Sequence, residues 1–434
     1  MILIYAHKST SRLRYTLNLV FRDVIQTPFK LTSNPVEFNL FEGAKLSYGL
    51  HALETEFYVQ SKTLLFENGI VEQDIVGMDA LGTKAFFGTS SRSDFPFDIF
   101  AASFYLASRY EEYLPHKRDE HDRFEAEQSI ASQLDFLSVP VINRWCLLFW
   151  NTLKNKFPDL SKSGRKYQFI TSIDIDNAYS IKEKGFVRTT AGLAKDLLSF
   201  DIPSFKTRIK VLSGNQKDPY DTFDYQLEII KKHKLKFIYF FLLGDYGQFD
   251  KNIPINNLKF RSLIKTLGDY AQIGIHPSYG SNNDFLRLQK EVNRLSPVLN
   301  REITQSRQHF LRLKLPDTYR NLIEADILHD HTMGYATHYG FRAGICTPYY
   351  FYDLDLEVET QLQIHPFAIM EGTLKYHLHI DPENAFEHYK KLIDEVKQVN
   401  GTFISLWHND TLSNQGLWEG WRAVFEQMIE YGKA

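Results

Sequence analysis

The chain is poor in cysteine, in long apolar runs and in any surplus of one charge. Its two cysteines, Cys146 and Cys346, are too few for a disulfide framework and fit no zinc-binding spacing. No apolar run approaches the roughly 20 residues that a membrane-spanning helix needs. Lysine and arginine together number 50 against 53 acids, so no basic surplus is present to neutralise nucleic-acid phosphates. These features exclude a disulfide-stabilised, a membrane-spanning and a mainly nucleic-acid-binding protein.

The beginning of the chain lacks the features of a secretory signal peptide. Residues 1–10, MILIYAHKST, predict a short strand that ends in polar residues. They contain neither the longer apolar stretch nor the small-residue cleavage site that such a peptide has. We therefore expect a cytoplasmic protein.

The length of the chain and one polar segment predict two domains. At 434 residues the chain exceeds the size at which a single hydrophobic core stops growing. The segment FPDLSKSGRKY, which begins at Phe157, is typical of a linker. We predict a smaller N-terminal α+β domain of unknown role over residues 1–160 and a second domain over residues 166–434.

The second domain alternates apolar strand-like runs with amphipathic helical runs. Examples are YQFITSID, FDYQLEIIKKHK, KFIYFFLL, FRSLIKTLGDYA and QIGIH. This alternation predicts a parallel sheet, and the number of repeats predicts a distorted (β/α) barrel of about seven or eight strands. An irregular insert, residues 181–215, separates the first of these strands from its helix.

Two aspartates, Asp174 and Asp176, end the first strand of this domain in TSIDIDNAYS. The two-residue period of a strand turns both side chains to the same side, where they repel each other unless a cation or a proton lies between them. Each could simply cap a turn or the helix that follows. With histidines at later strand ends, the pair favours a metal site in which one carboxylate binds a divalent cation and the other accepts a proton from water.

Four further polar residues lie where later strands end. His276 precedes a Pro-Ser-Tyr-Gly loop, which favours a metal ligand over a buried structural imidazole. Arg307 and His309 alternate like the aspartates, so both should point to one side, although Arg307 could serve only a structural ion pair. His408 follows the apolar strand GTFISLW and could act as a general acid or be a buried, neutral imidazole.

Other histidines are weaker candidates for the site. His331, His338 and Arg342 lie in a loop-rich segment that could form one wall of a pocket. His116 and His121 stand in a charged segment that is more typical of a solvated loop than of a metal site.

The order of these motifs resembles the polysaccharide deacetylase (NodB-homology) superfamily over residues 166–430. SIDID resembles the family's opening pair of aspartates, GIHPSYGS the histidine-ligand motif at His276, SRQHF the arginine motif at Arg307, and ISLWHND the closing Leu-x-His motif at His408. The whole chain resembles a two-domain subgroup of Bacteroidetes type. The resemblance implies a metal-dependent hydrolase that removes an acetyl group from an N-acetylated sugar, with zinc as the expected divalent metal.

The chain departs from the family pattern at two positions. The second histidine of the His276 motif is replaced by Gly280, so His309 is the preferred third ligand. His365 is the second choice, followed by water or Asn282. Ile175 separates the two aspartates, which leaves open which of them is the ligand.

The resemblance implies a role for each candidate residue. Asp176, His276 and His309 would hold the metal. Asp174 would take a proton from water, held in position by Arg307. His408 would then protonate the departing amine. The substrate would be a carbohydrate, free or linked to a lipid or a nucleotide.

Two other functions compete with this one. A nucleotide-sugar glycosyltransferase would use Asp174-x-Asp176 to hold a metal on a diphosphate, but this leaves the histidines at His276 and His408 unexplained. A non-catalytic glycan-binding protein on the same fold would explain Gly280, but not the retained Asp174 and Arg307.

The insert is locally basic and amphipathic. Residues 181–210 contain seven lysines or arginines against three acids, interleaved with apolar residues. This pattern is typical of a solvated helical face. It also predicts a weak contact with an anionic membrane surface, or with a diphosphate carrier, beside the pocket mouth.

Overall fold

The computed structural model describes residues 1–53 and 56–434 and shows a mixed α/β protein. Its strands are β1 (Ile2–Ala6), β2 (Phe29–Thr32), β3 (Ala44–Gly49), β4 (Phe57–Gln60), β5 (Gly77–Ala80), β6 (Thr83–Phe86), β7 (Gln168–Ile175), β8 (Lys236–Leu242), β9 (Gln272–His276), β10 (Gln305–Ser306), β11 (His329–Asp330), β12 (Tyr349–Asp353), β13 (Val358–Ile364), β14 (Ile369–Met370) and β15 (Thr402–His408).

The α-helices lie between and around these strands. They are α1 (Ser11–Leu17), α2 (Pro35–Leu40), α3 (Ile99–Ala107), α4 (Ile130–Gln133), α5 (Val141–Lys156), α6 (Gly185–Leu198), α7 (Ile202–Leu212), α8 (Phe223–His233), α9 (Leu258–Gly268), α10 (Phe285–Leu299), α11 (Asp317–Glu324), α12 (Pro382–Gln398) and α13 (Trp421–Lys433). Short 3-10 and π-helical turns connect several of them.

The first part of the chain contains a four-stranded sheet in the order β2-β1-β3-β4, with all neighbours parallel. A separate antiparallel hairpin pairs β5 with β6. Strand β1 is almost wholly apolar and buried, as expected for a central parallel strand covered on both faces. The predicted division of the chain between residues 160 and 166 stays a prediction.

The second part contains a nine-stranded sheet in the order β12-β13-β11-β10-β9-β8-β7-β15-β14. All neighbours are parallel except β12, which returns antiparallel to β13. Strand β7 lies between β8 and β15, and these strands are nearly continuous apolar runs because they are buried. The polar residues that end β7, β9 and β15 therefore meet at one edge of the sheet.

The mixed α/β class of the predicted distorted (β/α) barrel is confirmed, but among the described residues the sheet stays open and does not close into a barrel. Within residues 1–53 and 56–434, β12 and β14 end the sheet and do not pair with each other. Three strands that a closed barrel would need at full length, β10, β11 and β14, have only two residues each. Strand β12 also reverses direction, which ends the parallel repeat.

A buried ionic cluster joins the two parts of the chain. Glu112 accepts hydrogen bonds from Arg342, at 2.9 Å from Nε and 2.6 Å from Nη2, and from Arg109 Nε at 2.7 Å. Arg109 also donates to the carbonyl oxygen of Arg342. Burial raises the pKa of Glu112, but the two arginines outweigh it and lower that pKa to about 2. Glu112 therefore partly neutralises the positive charge of two arginines that are buried where the two parts of the chain meet.

The insert folds into two helices, α6 and α7. Asp196 and Arg208 form an ion pair between them at 2.7 Å, which is buried on the Asp196 side. Several large apolar side chains of the insert instead face solvent. In the described part of the chain, no helix is long and apolar enough to cross a membrane.

We predict that Glu112→Gln lowers the free energy of unfolding by about 3–5 kcal/mol, because it leaves the buried Arg342 without a carboxylate and Arg109 with only Glu111. The loss should shrink as the pH falls from 4.5, the ordinary glutamate value, to about 2, since the wild-type carboxylate then becomes protonated. Denaturant unfolding across this pH range measures both effects. Asp224→Asn, which removes an exposed partner of Lys217, is the control and should change little.

Candidate active site

A pocket of about 340 Å³ opens where β7, β9 and β15 end. Its lining residues come from both parts of the chain: Glu120, His121, Arg123, Asp174, Asp176, His276, Gln308, His309, Phe310, Leu311, Ala336, Met370, Glu371, Gly372, Tyr376, His377, Leu406, His408, Asp410, Thr411 and Trp418. Five of the six predicted site residues line it directly, and the sixth, Arg307, contacts one of them.

The two aspartates have different environments. Asp174 is buried, and its Oδ1 lies 2.9 Å from Nη1 of the fully buried Arg307. The Asp176 side chain is 37% exposed and faces two histidines. Burial raises the pKa of Asp176, but His309, His276 and His408 outweigh it and hold that pKa well below the ordinary value. The geometry therefore separates an arginine-paired aspartate from a histidine-facing one, a choice that the sequence left open.

Asp176, His276 and His309 bring three potential ligand atoms within 4.8 Å of one another. Oδ1 of Asp176 lies 3.2 Å from His276 Nε2, and its Oδ2 lies 3.6 Å from His309 Nε2. The two imidazole rings are 5.0 Å apart between centroids. Two nitrogens and one carboxylate oxygen at this spacing are a donor set that transition metals such as zinc use.

The backbone fixes the orientation of His276. Its Nδ1 lies 2.5 Å from the carbonyl oxygen of Arg307, so the protonated nitrogen is Nδ1, which donates to that oxygen. In the neutral ring, Nε2 then keeps a lone pair that faces Asp176. A hydrogen bond of this kind from the second ring nitrogen is typical of metal-binding histidines.

A buried carboxylate orients His309. Nδ1 of this histidine lies 2.9 Å from Oδ1 of Asp250. Burial lowers the pKa of His309, but Asp176 and Asp250 outweigh it and raise that pKa to about 9. Carboxylate–histidine pairs support bound metals in the same way, because the carboxylate increases the basicity of the ring.

The donor set fits a cation. Oδ1 of Asp176 is buried and makes no hydrogen bond, although His276 Nε2 lies 3.2 Å away. A carboxylate oxygen and a bare imidazole nitrogen that face each other repel unless a positive charge lies between them. These three residues could therefore hold a divalent metal.

His408 also faces Asp176. Its Nε2 is 3.9 Å from Asp176 Oδ2, and its Nδ1 is 2.7 Å from Oε1 of the buried Glu371. The same Glu371 oxygen accepts the backbone N–H of His408 at 2.9 Å. Burial lowers the pKa of His408, but Glu371, Asp176 and Asp174 outweigh it and raise that pKa well above its ordinary value. His408 therefore faces the pocket in surroundings that favour its protonated form.

The alternative ligands lie elsewhere. The His365 ring stacks on His331 with centroids 4.5 Å apart and lies away from the three-ligand cluster. Asn282 is buried and donates to the carbonyl oxygen of Arg312. A side chain at Gly280 would collide with the Arg287 guanidinium. Of the alternatives to the missing second histidine, the structure brings only His309 to the cluster among the described residues.

The structure places the weaker candidates differently from the sequence prediction. Of the proposed wall residues, Arg342 is buried against Glu112, and His331 is buried with Nε2 at 2.8 Å from Gln305. His121 was assigned to a solvated loop, but this is wrong, because it lines the pocket and contacts Phe310 edge-on at 4.8 Å.

Two important residues were missed by the sequence analysis. Glu371 directly follows β14, and a carboxylate at a strand end is a signal that could have found it. Asp250 lies in the loop after β8, within YGQFDKN, where nothing in the local pattern distinguishes it from other loop acids. Only the position of His309 gives Asp250 a role.

Comparisons with known proteins add a family of unknown function (DUF7033), whose model matches residues 2–158. No curated protein matches the chain. The solved structures that resemble it include a protein from Mycobacterium smegmatis assigned as a polysaccharide deacetylase, with 12% identity and a TM-score of 0.39. That alignment covers 62% of this chain and 86% of the other.

Two further structures show comparable similarity. A polysaccharide deacetylase from Bacillus cereus has 11% identity and a TM-score of 0.28, covering 61% of this chain and 86% of its own. A pseudoenzyme of the CE4 family from Bacillus anthracis has 13% identity and a TM-score of 0.30, covering 63% and 67%. At such low TM-scores, the function has to be argued from the chain's own residues.

We predict that the purified protein binds about one equivalent of Zn²⁺ or Co²⁺ and that His309→Gln abolishes this binding. Asp250→Asn should weaken it by about 10–100-fold, because His309 loses the carboxylate that orients it. Calorimetric titration of metal-free protein measures both. Wild-type affinity in His309→Gln would contradict the proposed ligand set. Asp224→Asn, which changes an exposed side chain that does not line the pocket, is the control.

Proposed function

We propose that this protein is a metal-dependent hydrolase that cleaves the C–N amide bond of an N-acetylated sugar. The observation that carries the proposal is the arrangement around Asp176. A three-residue ligand cluster lies beside an arginine-paired aspartate and a glutamate-paired histidine. Amide hydrolysis needs all three parts: an electrophilic centre, a base for water and an acid for the amine.

Asp176, His276 and His309 would hold the divalent metal, for which zinc is the expected ion. When bound, it would supply Lewis acidity to the carbonyl oxygen of the amide. The chain's own contribution is to fix the ligands. His276 is oriented by the Arg307 carbonyl, and His309 by Asp250.

Asp174 is the proposed base. Its Oδ1 is occupied by Arg307, while its Oδ2 lies 3.7 Å from His276 Nε2 and so faces the ligand cluster. The ion pair prevents the carboxylate from rotating away. A proton taken from water at this position leaves the oxygen nucleophile beside the cluster.

His408 is the proposed acid. Glu371 favours its protonated form and holds the ring through two contacts, one with Nδ1 and one with the backbone N–H. Protonation of the departing nitrogen by Nε2 would make the amine a good leaving group and complete bond cleavage. Glu371 acts through His408 and is a positioning residue.

The pocket supports a carbohydrate substrate. Its volume, about 340 Å³, suits a small ligand, and its walls include the aromatic rings of Phe310, Tyr376 and Trp418. Apolar ring faces beside polar groups are suited to the faces of a sugar ring.

We predict that the metal-loaded protein releases acetate from an N-acetylated sugar in a screen of free, lipid-linked and nucleotide-linked substrates. His408→Ala should lower turnover by at least about 100-fold and keep its metal, since His408 supplies only the proton. His388→Ala, which removes an imidazole that contacts Tyr339 outside the pocket, is the matched control.

The outcomes separate the competing functions. Bound metal with no acetate release from any substrate would favour a non-catalytic glycan-binding protein. Mn²⁺ bound only in the presence of a nucleotide sugar would favour a glycosyltransferase. Loss of metal from His408→Ala would make His408 a ligand instead of an acid.

A further inference from the structure

Helix α6 has an exposed face that carries no charge. At 100° per residue, most exposed positions of this helix fall within one arc, where the side chains are apolar except for Thr190; the exposed Lys195 lies just outside that arc. We call these residues the α6 face: Phe186, Val187, Thr190, Ala191, Ala194, Leu197 and Leu198. The Phe186 side chain is 83% exposed and Leu198 is 80% exposed. A helix exposed only to water normally has charged residues on such an arc.

The turn that follows α6 extends this surface. Phe200 is 86% exposed and has a φ of 55°, a left-handed conformation in which a helix normally ends with glycine or asparagine. Ile202 and Ile209 of α7 are also largely exposed. The tip of the helix pair therefore presents large apolar side chains to its surroundings, and these form a surface of the kind that marks an interaction site.

Lysines border this apolar surface. Lys195, Lys206 and Lys210 are exposed and form no ion pair with any carboxylate of the described residues. Arg208 differs, because its guanidinium pairs with Asp196 inside the helix pair. The free positive charges thus lie at the edge of the apolar surface, and the paired charges lie within the helix pair.

We propose that α6 and α7 form a membrane-docking element that inserts its apolar side chains into the surface of a bilayer containing anionic phospholipids. The apolar residues would enter the boundary between headgroups and acyl chains, and the bordering lysines would contact the phosphates. A bilayer accounts for both features together, since lysines reach phosphates from the edge of an inserted apolar surface.

The base of the helix pair contacts the loop that serves the candidate site. Arg188 donates to the carbonyl oxygens of Asn252 and Lys251, at 3.0 and 2.8 Å, and its guanidinium lies 4.3 Å from the centroid of the Tyr246 ring. The same loop carries Asp250, which orients His309. Helix α6 also follows β7, the strand that carries Asp174. Docking would therefore place the membrane near the end of the sheet at which the pocket opens. The docking proposal itself does not depend on the proposed hydrolase chemistry.

Flotation with vesicles tests the proposal. Phosphatidylcholine vesicles that contain phosphatidylglycerol should retain the wild-type protein, whereas pure phosphatidylcholine vesicles should retain much less. A triple variant, Phe186→Ser, Leu198→Ser and Phe200→Ser, should bind at least about tenfold more weakly, because it removes most of the insertable surface. Val36→Ser with Leu40→Ser, two exposed apolar residues of α2, is the matched control and should bind like the wild type.

The charges are tested separately. Lys206→Glu with Lys210→Glu should weaken binding to the anionic vesicles, and the difference should decrease at high salt. Arg208 is left in place, so the ion pair that holds the two helices together remains. Lys231→Glu with Lys232→Glu, an exposed pair on α8, is the matched control.

Insertion itself is measured with a fluorescent label. Because both native cysteines are buried, Phe200→Cys offers one reactive site for an environment-sensitive dye. The emission of this dye should shift to the blue on anionic vesicles, whereas the emission of a dye on Leu40→Cys should not shift.

Absence of binding to anionic vesicles at low salt would overturn the proposal. So would sedimentation showing that the wild type forms a dimer that the triple serine variant loses, since the apolar surface would then be an interface between two copies.

Discussion

Arg307 is the residue on which the geometry of the candidate site depends. It is fully buried, and its guanidinium pairs with Asp174 while its Nε donates to the carbonyl oxygen of His331. Its own carbonyl oxygen accepts the hydrogen bond that fixes His276. One residue therefore positions the proposed base and one proposed ligand. It does so from the position just after β10, the strand that lies between β9 and β11. The aromatic ring of Phe240, 4.5 Å from the guanidinium carbon, closes the other side of this buried charge.

The site follows a single electrostatic scheme. Each proposed functional group has a partner of opposite charge or a carbonyl behind it: Arg307 behind Asp174, Asp250 behind His309, and Glu371 behind His408. Such partners fix the rings and carboxylates before any ligand arrives, which is the condition for electrostatic stabilisation in an enclosed pocket. Asp410 lines the same pocket, where burial raises its pKa; His408 opposes this effect, and the resulting pKa is about 6.

Residues from the first part of the chain also form part of the pocket wall. Arg123 donates to the carbonyl oxygen of Phe310 at 2.8 Å, and Arg312 donates to the carbonyl oxygen of His121 at 2.9 Å. These reciprocal bonds hold the segment that carries His121 against the turn that follows His309. Together with the Glu112 cluster, they make the pocket wall a joint product of both parts. The family model of unknown function matches residues 2–158, so His121 and Arg123 lie within the matched segment.

The sequence by itself determined the parallel strands and the polar residues at their ends. The two-residue period fixes which side chains share a side of β7, and apolar runs such as KFIYFFL fix which strands are buried. Those local rules were enough to name Asp174, Asp176, His276, Arg307, His309 and His408. Only the tertiary structure decided that the sheet stays open and that His309, not His365, joins the ligand cluster. It also decided that Asp250 and Glu371 orient the histidines. These outcomes depend on strand lengths and on which distant loops come together, and no local pattern in the chain encodes either.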